Sequence, residues 1–151
     1  NGEPFLMYKI KTLKDNDSVT TFVQEYTRYG KFLRRVKIDE FLQIWNVLRG
    51  EMAIVGPRPE EEKTIQLLPE DIRRTLLSVK PGMTSLSSIH FFEEGQILEK
   101  TNDQHRVYWE QIKPLKILLD VFYIQNRCWL LNLAILWLTI KKVVWALITH
   151  K

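Results

Sequence analysis

The feature that most constrains how this chain folds is a run of 13 residues without a charged side chain, residues 128–140 (CWLLNLAILWLTI). As an α-helix this run is about 20 Å long, whereas the hydrocarbon core of a bilayer is about 30 Å thick. The run is therefore too short to cross a membrane alone. Extending it to Thr149 would place Lys141 and Lys142 within the bilayer, at a cost of about 3 kcal/mol each near the centre.

Two environments remain open for the segment 128–151. Its tryptophans, Trp129, Trp137 and Trp145, are suited to the depth of lipid headgroups, and its lysines can face anionic lipid. These features favour an amphipathic helix lying in the membrane interface. The alternative is a C-terminal helix that packs on the soluble core or on another subunit. In either case we expect one domain, with a core at 1–127 and this C-terminal segment added to it.

Composition indicates one folded domain, and its mild positive charge suits an anionic partner. The chain has 151 residues, of which 45% are hydrophobic and 26% are charged, so it can bury a core and is not disordered throughout. Its 22 basic and 18 acidic residues give a net charge of +4, which suits a phosphate, a nucleic acid or a membrane surface. The single cysteine, Cys128, excludes an internal disulfide and a zinc site made of several thiolates.

The remaining pattern predicts an α/β (α+β) fold that is mainly helical with a few short strands. The clearest helix is 39–49, where apolar residues recur at helical spacing and a glycine follows the end. The apolar residues of this repeat are Phe41, Ile44, Trp45 and Leu48. Short apolar runs predict strands at 4–13 and 52–55. We also expect an extended segment at 85–92.

The adjacent carboxylates Asp39 and Glu40 are the first candidate site. Neighbouring residues on a helix point about 100° apart, so one can attack a substrate while the other holds a metal. The start of a helix also attracts a phosphate. The simpler explanation is that Asp39 caps the helix and Glu40 is an ordinary acid of its first turn.

Two rigid turns supply further candidates. Arg58 stands between two prolines in GPRP, and its planar guanidinium suits bidentate phosphate binding. Lys80 precedes a Pro-Gly turn and can serve a phosphate or a nucleotide. The alternative for Arg58 is an ordinary surface turn with a solvated arginine. The alternative for Lys80 is a simple linker between a helix and a strand.

Taken in order, four stretches resemble one family, the bacterial sugar transferases, also described as monotopic polyprenyl-phosphate phosphoglycosyl transferases. They are PFLMYKIKTL, TRYGKFLRRVKIDEFLQIWNVLRGEMAIVGPRPE, VKPGMTSL and LDVFYIQNRCWLLNLAILWLTIKKV. The resemblance covers most of the chain, and the second stretch is long and specific.

The resemblance implies an enzyme that transfers a sugar 1-phosphate from a nucleotide diphosphate sugar, most often a UDP-sugar, to a polyprenyl phosphate such as undecaprenyl phosphate. It implies that Asp39 is the nucleophile that forms a phospho-aspartate and that Glu40 holds Mg²⁺. It implies substrate contacts for Lys9 and Arg58, and less firmly for Arg34 and Arg35. Lys80 is a further candidate for substrate binding because of its position before the Pro-Gly turn.

The same resemblance implies a place at the cytoplasmic face of the bacterial inner membrane and a role in starting an exopolysaccharide, lipopolysaccharide or other glycoconjugate. Family members normally begin with an apolar helix that enters the membrane. None precedes PFLMYKIKTL, so we expect that this sequence starts within a longer protein. A homo-oligomer is left open.

Two other functions remain as alternatives. One is a non-catalytic scaffold of the same fold. The other is a basic module that binds membranes peripherally or binds nucleic acid, and no recognised nucleic-acid motif supports the nucleic-acid version. Release of nucleoside monophosphate separates the enzyme from both.

Overall fold

The computed structural model describes residues 2–12, 27–35, 37–99, 101 and 103–149. The described helices and strands follow in chain order. They are α1 (Arg28–Arg35), a 3-10 helix (Ile38–Gln43), α2 (Ile44–Leu48), β1 (Ala53–Val55), α3 (Glu62–Gln66), α4 (Glu70–Leu77), β2 (Gly82–Thr84), α5 (Leu86–His90), α6 (Glu94–Glu99), α7 (Gln104–Val107), a π-helical segment (Tyr108–Ile112), α8 (Lys113–Asn126) and α9 (Trp129–Thr149). The predicted fold class, mainly helical with a few short strands, is confirmed.

The two described strands form a short parallel pair that sets the position of the GPRP turn. Ala53 pairs with Gly82 and Val55 with Thr84. The backbone contact continues into the turn, where the Gly82 N–H donates to the Pro57 carbonyl at 2.8 Å. A Cβ added to Gly56 would lie 2.7 Å from the Gly82 nitrogen, so glycine is required where the two backbones meet. The strand predicted at 52–55 is confirmed.

The helix predicted at 39–49 is present as the 3-10 helix followed directly by α2. We call residues 38–48 the dyad helix, after its adjacent carboxylates Asp39 and Glu40. Its polar side is buried, with Asp39, Gln43 and Asn46 facing the rest of the protein. Its apolar side is exposed instead of forming the core. The exposed fractions are 59% for Phe41, 53% for Trp45 and 72% for Leu48.

The N-terminal segment 2–12 contains no strand, so the strand predicted at 4–13 is wrong for the part that the structure describes. A single side chain holds much of this segment. Asn46 is fully buried; its Oδ1 accepts the Tyr8 N–H at 3.2 Å, and its Nδ2 donates to the Leu6 carbonyl at 2.8 Å. The segment therefore bonds to a side chain of the dyad helix. Such a contact leaves no periodic pattern in the sequence from which it could be predicted.

The extended segment predicted at 85–92 is wrong, because α5 occupies most of it. Ser85 caps this helix by accepting the Ser88 N–H at 2.9 Å, and such capping favours a helix start. Ile89 of α5 then packs with Tyr123 of α8 and Ile135 of α9 in a small core. This core joins the three helices that lie next to the parallel strands.

Helix α9 runs without interruption through both apolar runs of the C-terminal segment. Among the described helices it is the one long and apolar enough to cross a membrane, and most of its surface is exposed. One stripe of α9 contacts the core along its length. In that stripe Ile135 is buried, Thr139 Oγ1 lies 2.7 Å from Thr84 Oγ1, and Lys142 Nζ donates to the Ile89 carbonyl at 2.7 Å. The division into 1–127 and 128–151 stays a prediction.

Candidate active site

Three of the residues predicted for the site come together around Glu40. Its Oε1 lies 3.4 Å from Arg58 Nη2 and 3.7 Å from Lys9 Nζ. The three side chains come from the dyad helix, the GPRP turn and the N-terminal segment. The fold therefore gathers one carboxylate and two cations from distant parts of the sequence, an arrangement suited to a phosphate and its counter-ion.

The charges around Glu40 favour its ionised form. Burial alone would raise the pKa of this carboxyl, but Arg58, Lys37 and Lys9 outweigh burial and hold the pKa below its ordinary value. Glu40 is therefore a carboxylate throughout the physiological pH range. Lys37 belongs to the same cluster, and burial lowers the pKa of its ammonium group although Glu40 opposes that shift.

Arg58 is fixed through both its backbone and its side chain. Its N–H donates to Asp120 Oδ2 at 3.1 Å, and its Nη1 donates to Ser88 Oγ at 3.1 Å. Burial would lower the pKa of the guanidinium, but Glu40 and the nearby acids Glu94 and Glu60 raise it overall. The guanidinium is therefore charged and held in one place before any substrate arrives.

Asp39 lies in the first turn of the dyad helix and does not cap it, so the capping explanation is wrong for this residue. The cap position is taken by Lys37, which adopts the left-handed conformation at φ 58°. Asp39 is only 7% exposed, and its backbone carbonyl accepts the Ile10 N–H at 2.9 Å. Water therefore has little access to its carboxylate.

A large open cavity adjoins this cluster. It has a volume of about 1320 Å³, and Lys9, Glu40, Arg58 and Lys80 all line it. Lys80 is exposed, and its Nζ lies near Gly50. The backbones of Arg34 and Arg35 form the end of α1, and their side chains are outside what the structure describes.

Sequence reasoning missed several residues near Arg58. A second layer of buried ion pairs joins Lys113 to Glu60 and Lys116 to Glu94. Asp120 was also missed, although an aspartate in the apolar run KILLDVFYI is a visible signal. Its Oδ2 accepts the backbone N–H of Arg58, so the backbone of this arginine is held by a residue 62 positions away in the chain. The described residues contain no group of three or more metal-ligating side chains.

Comparison with known proteins identifies the class to which this fold and site belong. The sequence matches the bacterial sugar transferase family over residues 1–146. The chain belongs to that family.

Individual relatives agree with this assignment. The uncharacterized sugar transferase EpsL of Bacillus subtilis (strain 168) is 34% identical over 148 residues, which are 95% of this chain and 65% of EpsL. The UDP-glucose:undecaprenyl-phosphate glucose-1-phosphate transferases of Xanthomonas campestris pv. campestris and Escherichia coli (strain K12) are 32% and 34% identical over 80% of this chain. The chain spans only 27% and 28% of the length of those two proteins.

Proposed function

We propose that this protein transfers a sugar 1-phosphate from a UDP-sugar to a polyprenyl phosphate. The observation that carries the proposal is the cluster of Glu40, Arg58 and Lys9 at the cavity. Asp39 precedes Glu40 in sequence and is buried rather than part of the cavity lining. Relatives named for UDP-glucose and undecaprenyl phosphate support the same reaction class. The product starts the assembly of a surface polysaccharide or glycoconjugate.

In the first step Asp39 attacks the phosphorus that carries the sugar. A bond forms between its carboxylate oxygen and that phosphorus, and the bond from the phosphorus to the bridging oxygen of the diphosphate breaks. UMP leaves with the electron pair and the negative charge. Such a covalent intermediate divides one difficult displacement into two easier ones. The low exposure of Asp39 favours attack by a carboxylate that is poorly hydrated.

In the second step an oxygen of the polyprenyl phosphate attacks the phosphorus of the phospho-aspartate. The bond between that phosphorus and the Asp39 oxygen breaks, and the free carboxylate is regenerated. The product is a polyprenyl diphosphate sugar. Arg58 and Lys9 bind phosphate oxygens in both steps, because charge spread over a transferring phosphoryl group is stabilised by fixed cations.

Mg²⁺ fits this site as a partner of the donor diphosphate. Glu40 is ionised and lines the cavity, and Mg²⁺ is commonly held by one or two carboxylates together with substrate phosphates. Glu40 is the residue that would hold the ion. When bound, Mg²⁺ neutralises charge on the diphosphate and on the leaving group.

The acceptor is a lipid, and two exposed apolar surfaces suit contact with a membrane. One is the outer side of the dyad helix with Phe41, Trp45 and Leu48. The other is α9, where Trp129 and Trp137 are 69% and 66% exposed. Exposed aromatic side chains of this kind favour the depth of lipid headgroups. We propose that both surfaces enter the cytoplasmic face of the inner membrane.

A position of α9 in the interface agrees with its contacts better than a position across the bilayer. Its stripe from Ile135 to Lys142 touches strand β2 and helix α5, so a spanning α9 would draw this polar domain into hydrocarbon. A helix lying in the interface keeps the core in water and its tryptophans in lipid.

The test is release of UMP by the full-length protein in detergent with undecaprenyl phosphate and Mg²⁺. The donors are UDP-glucose, UDP-galactose and UDP-N-acetylgalactosamine, which appear in the names of relatives. Wild type is compared with Asp39→Ala and Glu40→Ala. We expect UMP from at least one donor, and none with Asp39→Ala. No UMP from any donor would favour the non-catalytic scaffold of the same fold. Activity that survives Asp39→Ala would exclude Asp39 as the nucleophile.

A further inference from the structure

The tripeptide Pro57-Arg58-Pro59 has a single backbone donor. Proline has no N–H, so the N–H of Arg58 is the one amide proton between Gly56 and Glu60. That proton goes to Oδ2 of Asp120, 62 residues away on α8, at 3.1 Å. The conformation of the turn at its centre is therefore tied to one carboxylate.

Asp120 is poorly explained by packing alone. It is only 3% exposed, and its Oδ1 has no hydrogen-bond partner among the described residues. Burial raises the pKa of this carboxyl to about 6, although bonds from Ser87 and from the Arg58 N–H oppose the shift. A buried carboxylate with an unused oxygen disfavours the folded state, so its presence points to a role in the site.

The guanidinium at the other end of Arg58 is held independently. Nη1 donates to Ser88 Oγ, and Ser88 in turn accepts from Ser85 Oγ at 2.8 Å within α5. Nη2 meets Glu40 at 3.4 Å. Three elements thus fix one arginine, and α8 is the one that fixes its backbone.

We infer that Asp120 is a positioning residue, which holds the backbone of Arg58 so that the guanidinium meets the transferring phosphate. The inference rests on the proposed function, since it takes Arg58 as the phosphate-binding cation. Asp120 itself touches no substrate. Its effect on the reaction passes through Arg58.

The first test compares Asp120→Asn, Asp120→Ala and Asp120→Leu in UMP release. Asparagine keeps an oxygen that accepts the Arg58 N–H, whereas alanine and leucine do not, and leucine fills the volume if the alanine variant fails to fold. We expect kcat/KM within about threefold of wild type for Asp120→Asn and at least about tenfold lower for the folded apolar variants, because small misplacements of catalytic groups are expensive. Asp71→Asn, at an exposed position of α4, is the matched control.

A double-mutant cycle separates positioning from general damage to the fold. In an Arg58→Ala background no guanidinium remains to be positioned, so Asp120→Leu should then lower the residual kcat/KM by less than about threefold. Equal losses in both backgrounds would overturn the inference. A folded Asp120→Leu protein with wild-type activity would overturn it too.

A readout without catalysis keeps the inference distinct from the proposed function. Hydrogen exchange of the Arg58 amide is followed by NMR on protein labelled with ¹⁵N-arginine. We expect strong protection in wild type and Asp120→Asn, and exchange at least about tenfold faster in Asp120→Leu. Unchanged protection would overturn the inference even if UMP is released. Absence of UMP from wild type with a protected amide would instead count against the proposed function alone.

Discussion

Oε1 of Glu40 lies 3.4 Å from Nη2 of Arg58, although 18 residues separate them in sequence. Between them the chain completes α2, passes through β1 and enters the GPRP turn. The contact is therefore a product of the fold and not of local sequence. It places an ionised carboxylate and a fixed guanidinium at one wall of the cavity, where each can exchange its partner for a substrate group.

The shape of the Arg58 side chain should matter as much as its charge. We expect Arg58→Ala to lower kcat/KM for UMP release by about 100-fold to 1000-fold, the range found when one fixed donor to a reacting oxyanion is lost. Arg58→Lys should recover little, because an ammonium cannot replace the planar fork that reaches both Ser88 and Glu40. Arg74→Ala, at a surface ion pair of α4, serves as the control. Full activity of Arg58→Lys would show that charge alone suffices.

Membrane binding should depend on the outer side of the dyad helix. Trp45→Glu removes a large apolar side chain that is 53% exposed and leaves the buried side of the helix unchanged. Withdrawing about 2 kcal/mol of apolar transfer energy should weaken partition to anionic vesicles by about 30-fold. Leu67→Glu changes an apolar residue that is even more exposed, at 78%, and lies outside both proposed membrane surfaces. If the two variants lose binding equally, the dyad helix is not a specific contact.

Asn46 should be among the most important residues for stability. It is fully buried and bonds Leu6, Tyr8 and the side chain of Glu51, the last at 2.6 Å. Asn46→Ala leaves these buried groups without partners and should reduce the free energy of unfolding by about 2 to 4 kcal/mol. Denaturant titration measures the change, with the exposed Asn126→Ala as the control. A loss below that of the control would mean that the N-terminal segment is held by other contacts.

Asp120 should make stability depend on pH. Burial raises its pKa from 3.8 to about 6, with Arg58 and Glu60 as the charged groups that act on it. The folded state therefore holds the proton more tightly than the unfolded state, and the free energy of unfolding falls as pH rises from about 4 to 6. The loss is complete above that window, at up to about 3 kcal/mol. Asp120→Asn should abolish this dependence and be more stable than wild type at pH 8. Parallel stability profiles of the two proteins would contradict this account.

The family could be predicted from sequence because its motifs are short and nearly continuous, and the residues predicted for the site lie within those motifs. Glu40 and Arg58 stand 18 residues apart, in a stretch whose order of charges, prolines and glycines is unusual. Periodicity also located the dyad helix, since apolar spacing identifies a helix wherever it lies. Periodicity does not predict which side of that helix is buried against the rest of the protein. Here the polar side is buried, because Asn46 and Asp39 hold the N-terminal segment.

Other parts of the site depend on contacts that leave no local pattern. The bond from Arg58 to Asp120 joins residues 62 apart, and only the packing of α8 against the turn creates it. The segment 85–92 was predicted to be extended, but the Ser85 cap and its place in the core favour a helix. Capping by one hydroxyl is a weak signal in a sequence, and packing in the core favours the helix over an extended segment here.

The dyad helix carries its carboxylates and its exposed apolar residues on the same eleven positions, 38–48. Glu40 lies in its 3-10 part and Trp45 in α2, and the two parts follow one another directly. Under the proposed membrane contact, a displacement of Trp45 toward or away from lipid therefore also acts on Glu40. Under the proposed function, lipid packing and bilayer thickness then become variables of the reaction itself. A change in membrane fluidity would alter turnover without altering any residue that touches the sugar nucleotide.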